Sequence, residues 1–374
     1  MKDIQMVDLK SQYHKIKSEI DSKVLEVIES SAYINGYAVK DFQEHLEKYL
    51  DVRNVIPCGN GTDALQVAMM ALGLKPGDEV ITSPFTFIAT AEVVALLGLK
   101  PVFVDVEEGT FNLDVKKIED AITAKTKAIV PVHLFGQCCD MEPILAIAKK
   151  HNIFVIEDAC QAIGSEYIFS DGTVKKAGTM GTVGCTSFFP SKNLGCYGDG
   201  GALFTQDDEL AHTIRGIVNH GMFTRYYHDM IGVNSRLDSI QAAILDIKLK
   251  HLDEYNEARR KAADYYDKAF AGKENVTVPE RAKYSRHIFH QYTLKIKNVD
   301  RQRVIDEMKK NGVPVMIYYP VPLHLQKAFA NAGGKHGDFP VTEKLCNAVI
   351  SLPMHTELDE EQQRFIVDNL LKFL

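Results

Sequence analysis

The chain predicts an α/β fold built on a mostly parallel sheet, followed by a smaller α+β unit. Between about residues 55 and 220, short β-branched runs alternate with helical patterns, as in strands joined by crossover helices. From about Leu237 the texture changes to a long helical run and then to a mixed segment. The 374 residues also exceed the roughly 250–300 at which single hydrophobic cores stop growing. The expected division is 1–249 for a large unit that includes an N-terminal helix, and 250–374 for a small one.

Taken in order, SEIDSKVLEVIESS reads as the N-terminal helix. Six runs then read as strands: DEVITSP, KPVFVDV, KAIVPVHLF, IFVIEDA, GCTSFFP and GALFT. Between them lie helices such as TDALQVAMMALG and MEPILAIAKKHN, the latter closed by an asparagine. LDSIQAAILDIKLKHLDEYNEARRKAADYYDKAF continues as one long helical pattern. HQYTLKIK and PVMIYYP read as strands with RQRVIDEMKKNG as the helix between them, and DEEQQRFIVDNLLKFL as an amphipathic helix that packs on its own domain.

Composition removes several function classes. A net charge of −7 offers no electrostatic footprint for nucleic acid. The longest apolar stretch, TFIATAEVVALLGLKPVFV, is broken by Glu92, Lys100 and Pro101, so no membrane span is expected. The start, MKDIQMVDLKSQYHKIK, lacks the apolar core of a signal peptide. Seven scattered cysteines without a CxxC pair, and thirteen histidines without ligand spacing, predict neither disulfides nor a metal site. The expected compartment is the cytoplasm.

In open α/β sheets ligands collect at the carboxyl ends of strands, and three such ends carry chemistry. CGNGTDAL places Gly61 and Thr62 at a helix start, where backbone N–H groups and the helix dipole suit a phosphate. Thr62 serving only as the helix cap is the competing reading. The same letters match G-x-G-x-x-A through Gly59, Gly61 and Ala64, but the strand that should supply the ribose-binding acid ends in ITSPF and has none. FVIEDACQAIG runs into Asp158 and Gln161; the aspartate either caps the next helix or pairs with a protonated ring nitrogen.

The third end is SFFPSKNLG. Partial desolvation there lowers the pKa of Lys192, and such a lysine can form a Schiff base; snorkelling to water or pairing with Asp199 is the alternative. The three sites together describe pyridoxal 5'-phosphate (PLP), with the phosphate at Gly61 and Thr62, Asp158 on the ring nitrogen and Lys192 on the aldehyde. Phe87, after a strand in SPFTFIAT, either stacks on the ring or belongs to the core. The glycines of GCYGDGG allow backbone to approach a bulky ligand.

The sequence resembles the nucleotide-sugar aminotransferases of the DegT/DnrJ/EryC1/StrS family, within the fold-type I PLP enzymes. The likeness covers essentially the whole chain through MVDLK, GNGTDAL, GDEVITSPFTFIATAE, VHLFGQ, VIEDACQAIG, SFFPSKNLGCYGDGGA, GVNSRLDSIQAAIL and YYPVPLHLQ. It implies the aspartate aminotransferase-like fold, a seven-stranded, mostly parallel sheet in the large domain. It further implies that Gly61, Thr62 and Ser187 bind the phosphate, with Asn234 reaching it from the neighbouring subunit of a homodimer. Phe87 would stack on the ring, Asp158 would pair with its nitrogen, Gln161 would lie near its 3'-oxygen, and Lys192 would both hold the cofactor and shuttle the proton.

Dehydratases of the family carry histidine at the lysine position, so lysine here implies transamination, with glutamate as donor and pyridoxamine 5'-phosphate (PMP) as the intermediate cofactor form. GCYGDGGA and GVNSRLDSIQAAIL most resemble enzymes that aminate C3 of UDP-linked 2-acetamido-3-keto-glucuronic acid for surface polysaccharide (lipopolysaccharide O-antigen). In these enzymes the residue matching Arg236 meets the sugar carboxylate, against an ordinary interface ion pair as the alternative. Tyr318, Tyr319 and His324 are the other expected substrate contacts, although the subgroup commonly has histidine where Tyr318 stands. The alternatives are a 3-keto or 4-keto-6-deoxy sugar substrate, a dehydratase or amino-acid aminotransferase, a non-catalytic regulator and, more remotely, an NAD-dependent oxidoreductase.

Overall fold

Seven strands form the central sheet of the computed structural model, which describes residues 3–332 and 334–374. They are β1 (Asn54–Cys58), β2 (Glu79–Thr82), β3 (Lys100–Phe103), β4 (Thr126–Val130), β5 (Phe154–Asp158), β6 (Val183–Ser187) and β7 (Gly201–Thr205). Their spatial order is β1-β7-β6-β5-β4-β2-β3. The pairs from β3 through β6 are parallel. Only β7 runs against the rest, antiparallel to both β6 and β1.

The six predicted strands are all present, and β1 is the addition. Its Pro57 has no N–H for a ladder, and the strand sits at the sheet edge, where that is tolerated. Alternation along the strands divides their side chains between two layers. Ile56, Val80, Ala128, Ile156, Val183 and Leu203 bury into one core with helices α3 (Gly61–Ala71), α4 (Ala89–Leu96) and α6 (Asp208–Ile217). Their neighbours Ile81, Ile129 and Val155 pack on the other side against helix α5 (Met141–His151), which ends in a left-handed Asn152, as its sequence predicts. Val55 and Phe204 meet α2 (Tyr37–Leu50), and α1 (Lys17–Ser30) is the expected N-terminal helix.

Two expectations for the C-terminal part need correction. The long helical run is two helices, α7 (Ser239–Leu249) and α8 (Leu252–Phe270), joined through tight turns from Lys250 to Ile247 and from His251 to Lys248. The break lets α7 pack on α1 and α2 while α8 joins a separate core of Tyr266, Phe270, Tyr292, Ile350, Ile366 and Leu370. We propose the domain boundary at this break, between residues 249 and 250. PVMIYYP is not a strand; Met316 makes one bridge to Ser351, and the flanking prolines lack the donors a ladder needs. HQYTLKIK, RQRVIDEMKKNG and the C-terminal run form the strand Tyr292–Ile296 and the helices Arg301–Lys310 and Glu360–Phe373. No helix among the described residues is long and apolar enough to cross a membrane.

Candidate active site

The carboxyl ends of β1, β2, β5 and β6 open into one cleft of about 790 Å³. Gly61, Thr62, Phe87, Asp158, Gln161, Ser187 and Lys192 all line it, with Tyr318 and Tyr319 on the wall supplied by PVMIYYP. The strands deliver these groups together because parallel neighbours end at the same edge of the sheet.

At the end of β1 the cap of α3 is Asn60, whose side chain accepts from the Asp63 N–H at 2.8 Å. Thr62 is therefore not the cap. The N–H groups of Gly61 and Thr62, in the first turn of α3, have no acceptor among the described residues, which is the donor set an anion needs. Close packing explains the glycines here. A Cβ on Gly61 would lie 2.7 Å from the Ser187 Cβ and 2.9 Å from the Cys160 sulfur. A Cβ on Gly201 would fall 2.5 Å from the Asn60 carbonyl. The close approach that the GDGG run permits at Gly201 is thus to the anion loop.

Phe85 is buried in the core, whereas Phe87 keeps 55% of its surface exposed on the cleft, which removes the core reading for it. Its ring lies 6.5 Å from that of Tyr319. One turn on, Thr90 donates its hydroxyl to Asp158 Oδ2 at 2.8 Å, and the Cys160 N–H donates to Oδ1 at 3.2 Å. Asp158 is buried and held by both oxygens. The local turn does not exhaust a carboxylate, which accepts about four hydrogen bonds. Gln161 accepts from the Phe135 N–H at 2.7 Å and donates to the Tyr319 hydroxyl at 3.1 Å. Burial raises the Tyr319 pKa, so its phenol keeps its proton.

Lys192 follows β6 on a loop whose backbone N–H donates to Phe189 O at 2.8 Å. Burial pulls its pKa down, against the opposing influence of Cys160 and Asp158. Its amine makes no ion pair among the described residues, Asp199 included, although Asp199 lines the same cleft. Burial holds the Cys160 thiol protonated, with a pKa raised well above 9.0. That removes the thiol as a nucleophile.

A helix start with unclaimed donors, an anchored buried carboxylate and a half-buried lysine of lowered pKa on one cleft are the donor set that PLP requires. The cofactor fits the residues present. Three expected residues lie elsewhere in this chain. Asn234 is exposed and forms a backbone bridge with Asn219, and Arg236 has a buried Nε without a partner among the described residues; neither lines the cleft. His324 is not on the cleft wall either. It is buried with Nε2 3.1 Å from Glu343 Oε1 and its ring against Phe339, so apolar packing and the carboxylate hold it in the small unit. Thr90 and His290 are cleft residues that the sequence reading missed. Thr90 had a signal, the one-turn spacing after Phe87, whereas His290 arrives from a segment about a hundred residues beyond the lysine.

The model of the DegT/DnrJ/EryC1/StrS aminotransferase family matches residues 14–371. The chain is 48% identical over 372 residues to a pleiotropic regulatory protein of Geobacillus stearothermophilus, covering 99% of this chain and 98% of that one. It is 47% identical over 363 residues to the UDP-2-acetamido-2-deoxy-3-oxo-D-glucuronate aminotransferase of Pseudomonas aeruginosa, covering 97% and 98%. Among solved structures, NtdA from Bacillus subtilis with bound cofactor PMP superposes with a TM-score of 0.87 at 33% identity, covering 96% of this chain and 82% of that one.

Proposed function

The chain belongs to the DegT/DnrJ/EryC1/StrS aminotransferase family, and from that premise we propose that it carries an amino group from glutamate to C3 of UDP-2-acetamido-3-keto-glucuronic acid, in the cytoplasm, toward surface polysaccharide. It is a PLP-dependent aminotransferase of nucleotide-linked keto sugars. The observation that carries the reading is Lys192 on one cleft with Asp158 and the free N–H groups of Gly61 and Thr62. The 47% identity to the P. aeruginosa enzyme supports the sugar.

Gly61, Thr62 and Ser187 would hold the cofactor phosphate, Asp158 its ring nitrogen, Phe87 one ring face, and Gln161 the region of its 3'-oxygen. When bound, PLP supplies the electron sink that stabilises a carbanion at the reacting carbon. Lys192 takes the proton from the donor's Cα and, in the second half-reaction, returns one to the sugar C3. Its lowered pKa suits it to both transfers near neutral pH. Thr90 and the Cys160 N–H keep Asp158 aimed.

Asn234, Arg236 and His324 stay off the cleft of their own chain, and for the first two a homodimer accounts for that. Leu25, Ile28, Ile34, Tyr226, Tyr227 and Ile231 expose large apolar surface on α1, in the link from α1 to α2 and just before Asn234. Such patches mark association surfaces. A second subunit would bring Asn234 to the phosphate and Arg236 to the sugar carboxylate, with Tyr318 and Tyr319 as further substrate contacts. The relative named a regulator does not displace this reading, because the residues assigned to the cofactor and to the proton, Gly61, Thr62, Asp158 and Lys192, line one cleft.

Purified protein incubated with glutamate and a panel of 3-keto and 4-keto nucleotide sugars should release 2-oxoglutarate with the UDP-3-keto-uronic acid. Turnover of only 4-keto-6-deoxy sugars would overturn both that substrate and the role of Arg236. Asp158→Asn removes the charge opposite the ring nitrogen but keeps the Thr90 contact. Breaking such a buried pair costs about 3–5 kcal/mol, so kcat should fall roughly 10²- to 10⁴-fold, with the fold intact by circular dichroism.

A further inference from the structure

A buried polar chain starts at the residue after the lysine. Asn193 donates through Nδ2 to Asn256 Oδ1 at 2.7 Å and to Ile288 O at 3.4 Å. Asn256 donates through its own Nδ2 to Ile163 O at 3.3 Å. Main-chain carbonyls only accept, so the two of them orient both amides, and Asn193 Oδ1 is left as an acceptor. That oxygen lies 3.2 Å from His290 Nδ1. The Nδ1 atom must therefore carry the imidazole proton, and Nε2 keeps a bare lone pair.

His290 is buried, and its pKa is held well below 6.5 by burial first and then by the positive charges of Lys192 and Arg259. It is a neutral ring. Arg259 fixes its backbone, donating to the carbonyls of Phe289 and His290 at 3.2 and 3.0 Å. His290 and Lys192 line the same cleft. Neither His290 Nε2 nor the lysine amine has a hydrogen-bond partner among the described residues.

We propose that in the PMP form, where the cleft is filled and the lysine is released, His290 Nε2 accepts a hydrogen bond from the Lys192 amine, which makes His290 a positioning residue for the proton-moving lysine. The proposal rests on the reading of Lys192 as catalytic. A released amine has three kinds of acceptor in reach of this cleft. Asp158 would face the ring nitrogen of a bound cofactor, and Asp199, like Asp158, would hold the amine as a charged pair and raise its pKa. A neutral imidazole holds it without committing it to the charged form. The two tyrosines of the cleft wall are further groups facing it, and Tyr319 is turned to Gln161.

The first test needs no variant. In the full-length protein loaded with PMP, which leaves the lysine free, ¹⁵N spectra of labelled histidine should show the His290 proton on Nδ1 and an unprotonated Nε2. A proton on Nε2 would overturn the proposal. The second test reads Lys192 directly, by mass spectrometry of its peptide after trace acetylation with acetic anhydride between pH 6 and 10. His290→Phe removes the acceptor that steadies the ammonium, so the Lys192 pKa should drop by about one further unit. His290→Gln, which can present an oxygen at the same place, should restore most of it. kcat should follow, falling roughly threefold to tenfold in the Phe variant with KM for glutamate unchanged. Identical Lys192 titration in wild type and the Phe variant overturns the assignment, and if that variant does not fold the ¹⁵N result decides. An active Lys192→Ala enzyme would instead overturn the underlying catalytic reading.

Discussion

Lys192→Ala should leave no measurable transamination and no visible cofactor band attributable to a lysine adduct, while circular dichroism and the oligomeric state stay as in wild type. The proton transfer alone accounts for about 10²- to 10⁴-fold, and the loss of the covalent anchor compounds it. Lys192→Arg sharpens the result. Arginine keeps the positive charge in the cleft but neither gives up its proton near neutral pH nor anchors the cofactor covalently, so an inactive Arg variant shows that charge alone does not account for the lysine's part. An active, yellow Ala variant would sink the assignment.

The same substitution carries a stability prediction whose sign follows from the pKa. Burial lowers the Lys192 pKa below its ordinary 10.5. Between the folded value and 10.5 the unfolded chain binds more protons than the folded one, so this residue makes stability rise with pH across that window. Below the folded value the cost of burying the ammonium is fully present; above 10.5 it is gone. In the form without cofactor, Lys192→Ala should therefore be more stable than wild type at neutral pH, with the gain fading toward pH 10.5. Urea midpoints measured at pH 7 and pH 10 test this. A gain that does not shrink at the higher pH would mean that the lysine is not desolvated. Stability surrendered for function in this way is expected where a site needs a strained or uncharged group.

What the linear chain discloses about this site depends on how far apart its members lie. Gly61, Phe87, Asp158, Ser187 and Lys192 each come after a short apolar run, and the rule that strand ends face one cleft suffices to gather them. Thr90 was a step from view, since only the three-residue spacing from Phe87 ties it to Asp158. His290 and Gln291 had no such tag. They reach the cleft because the core around Tyr292 and Leu294 places their segment there, which is tertiary packing and not periodicity. The unbroken apolar spacing of residues 237–270 hid the break at Lys250–His251 for the same reason. Each half satisfies a helical period, and only the two separate cores show that they serve different partners.

Glu157 illustrates the opposite case, a residue with no catalytic part whose loss should be among the most damaging. Its side chain is fully buried directly before Asp158. Oε2 accepts from His133 Nε2 at 2.8 Å and from the Gly178 N–H at 2.9 Å, and Oε1 accepts from the N–H groups of Met180 and Gly181, the former at 2.6 Å. The Cys139 N–H donates to His133 Nδ1 at 3.1 Å. Nε2 is therefore the protonated nitrogen, and it cannot turn acceptor without breaking that bond. Glu157→Gln keeps size and shape but replaces one oxygen by an NH₂ group. Whichever way the amide turns, that group faces two N–H donors, and two buried or half-buried donors lose their acceptor. At about 1–3 kcal/mol for each unsatisfied group, the expected destabilisation is about 3–5 kcal/mol, the range for removing one partner of a buried charged network. The Gln variant should show it as a lowered urea midpoint with an unchanged slope, and as weaker cofactor retention, since the end of β5 that carries Asp158 is anchored through Glu157. A variant within about 1 kcal/mol of wild type, the typical worth of a single hydrogen bond, would mean that the loop 178–181 relaxes to water and that Asp158 is held by Thr90 and Cys160 alone.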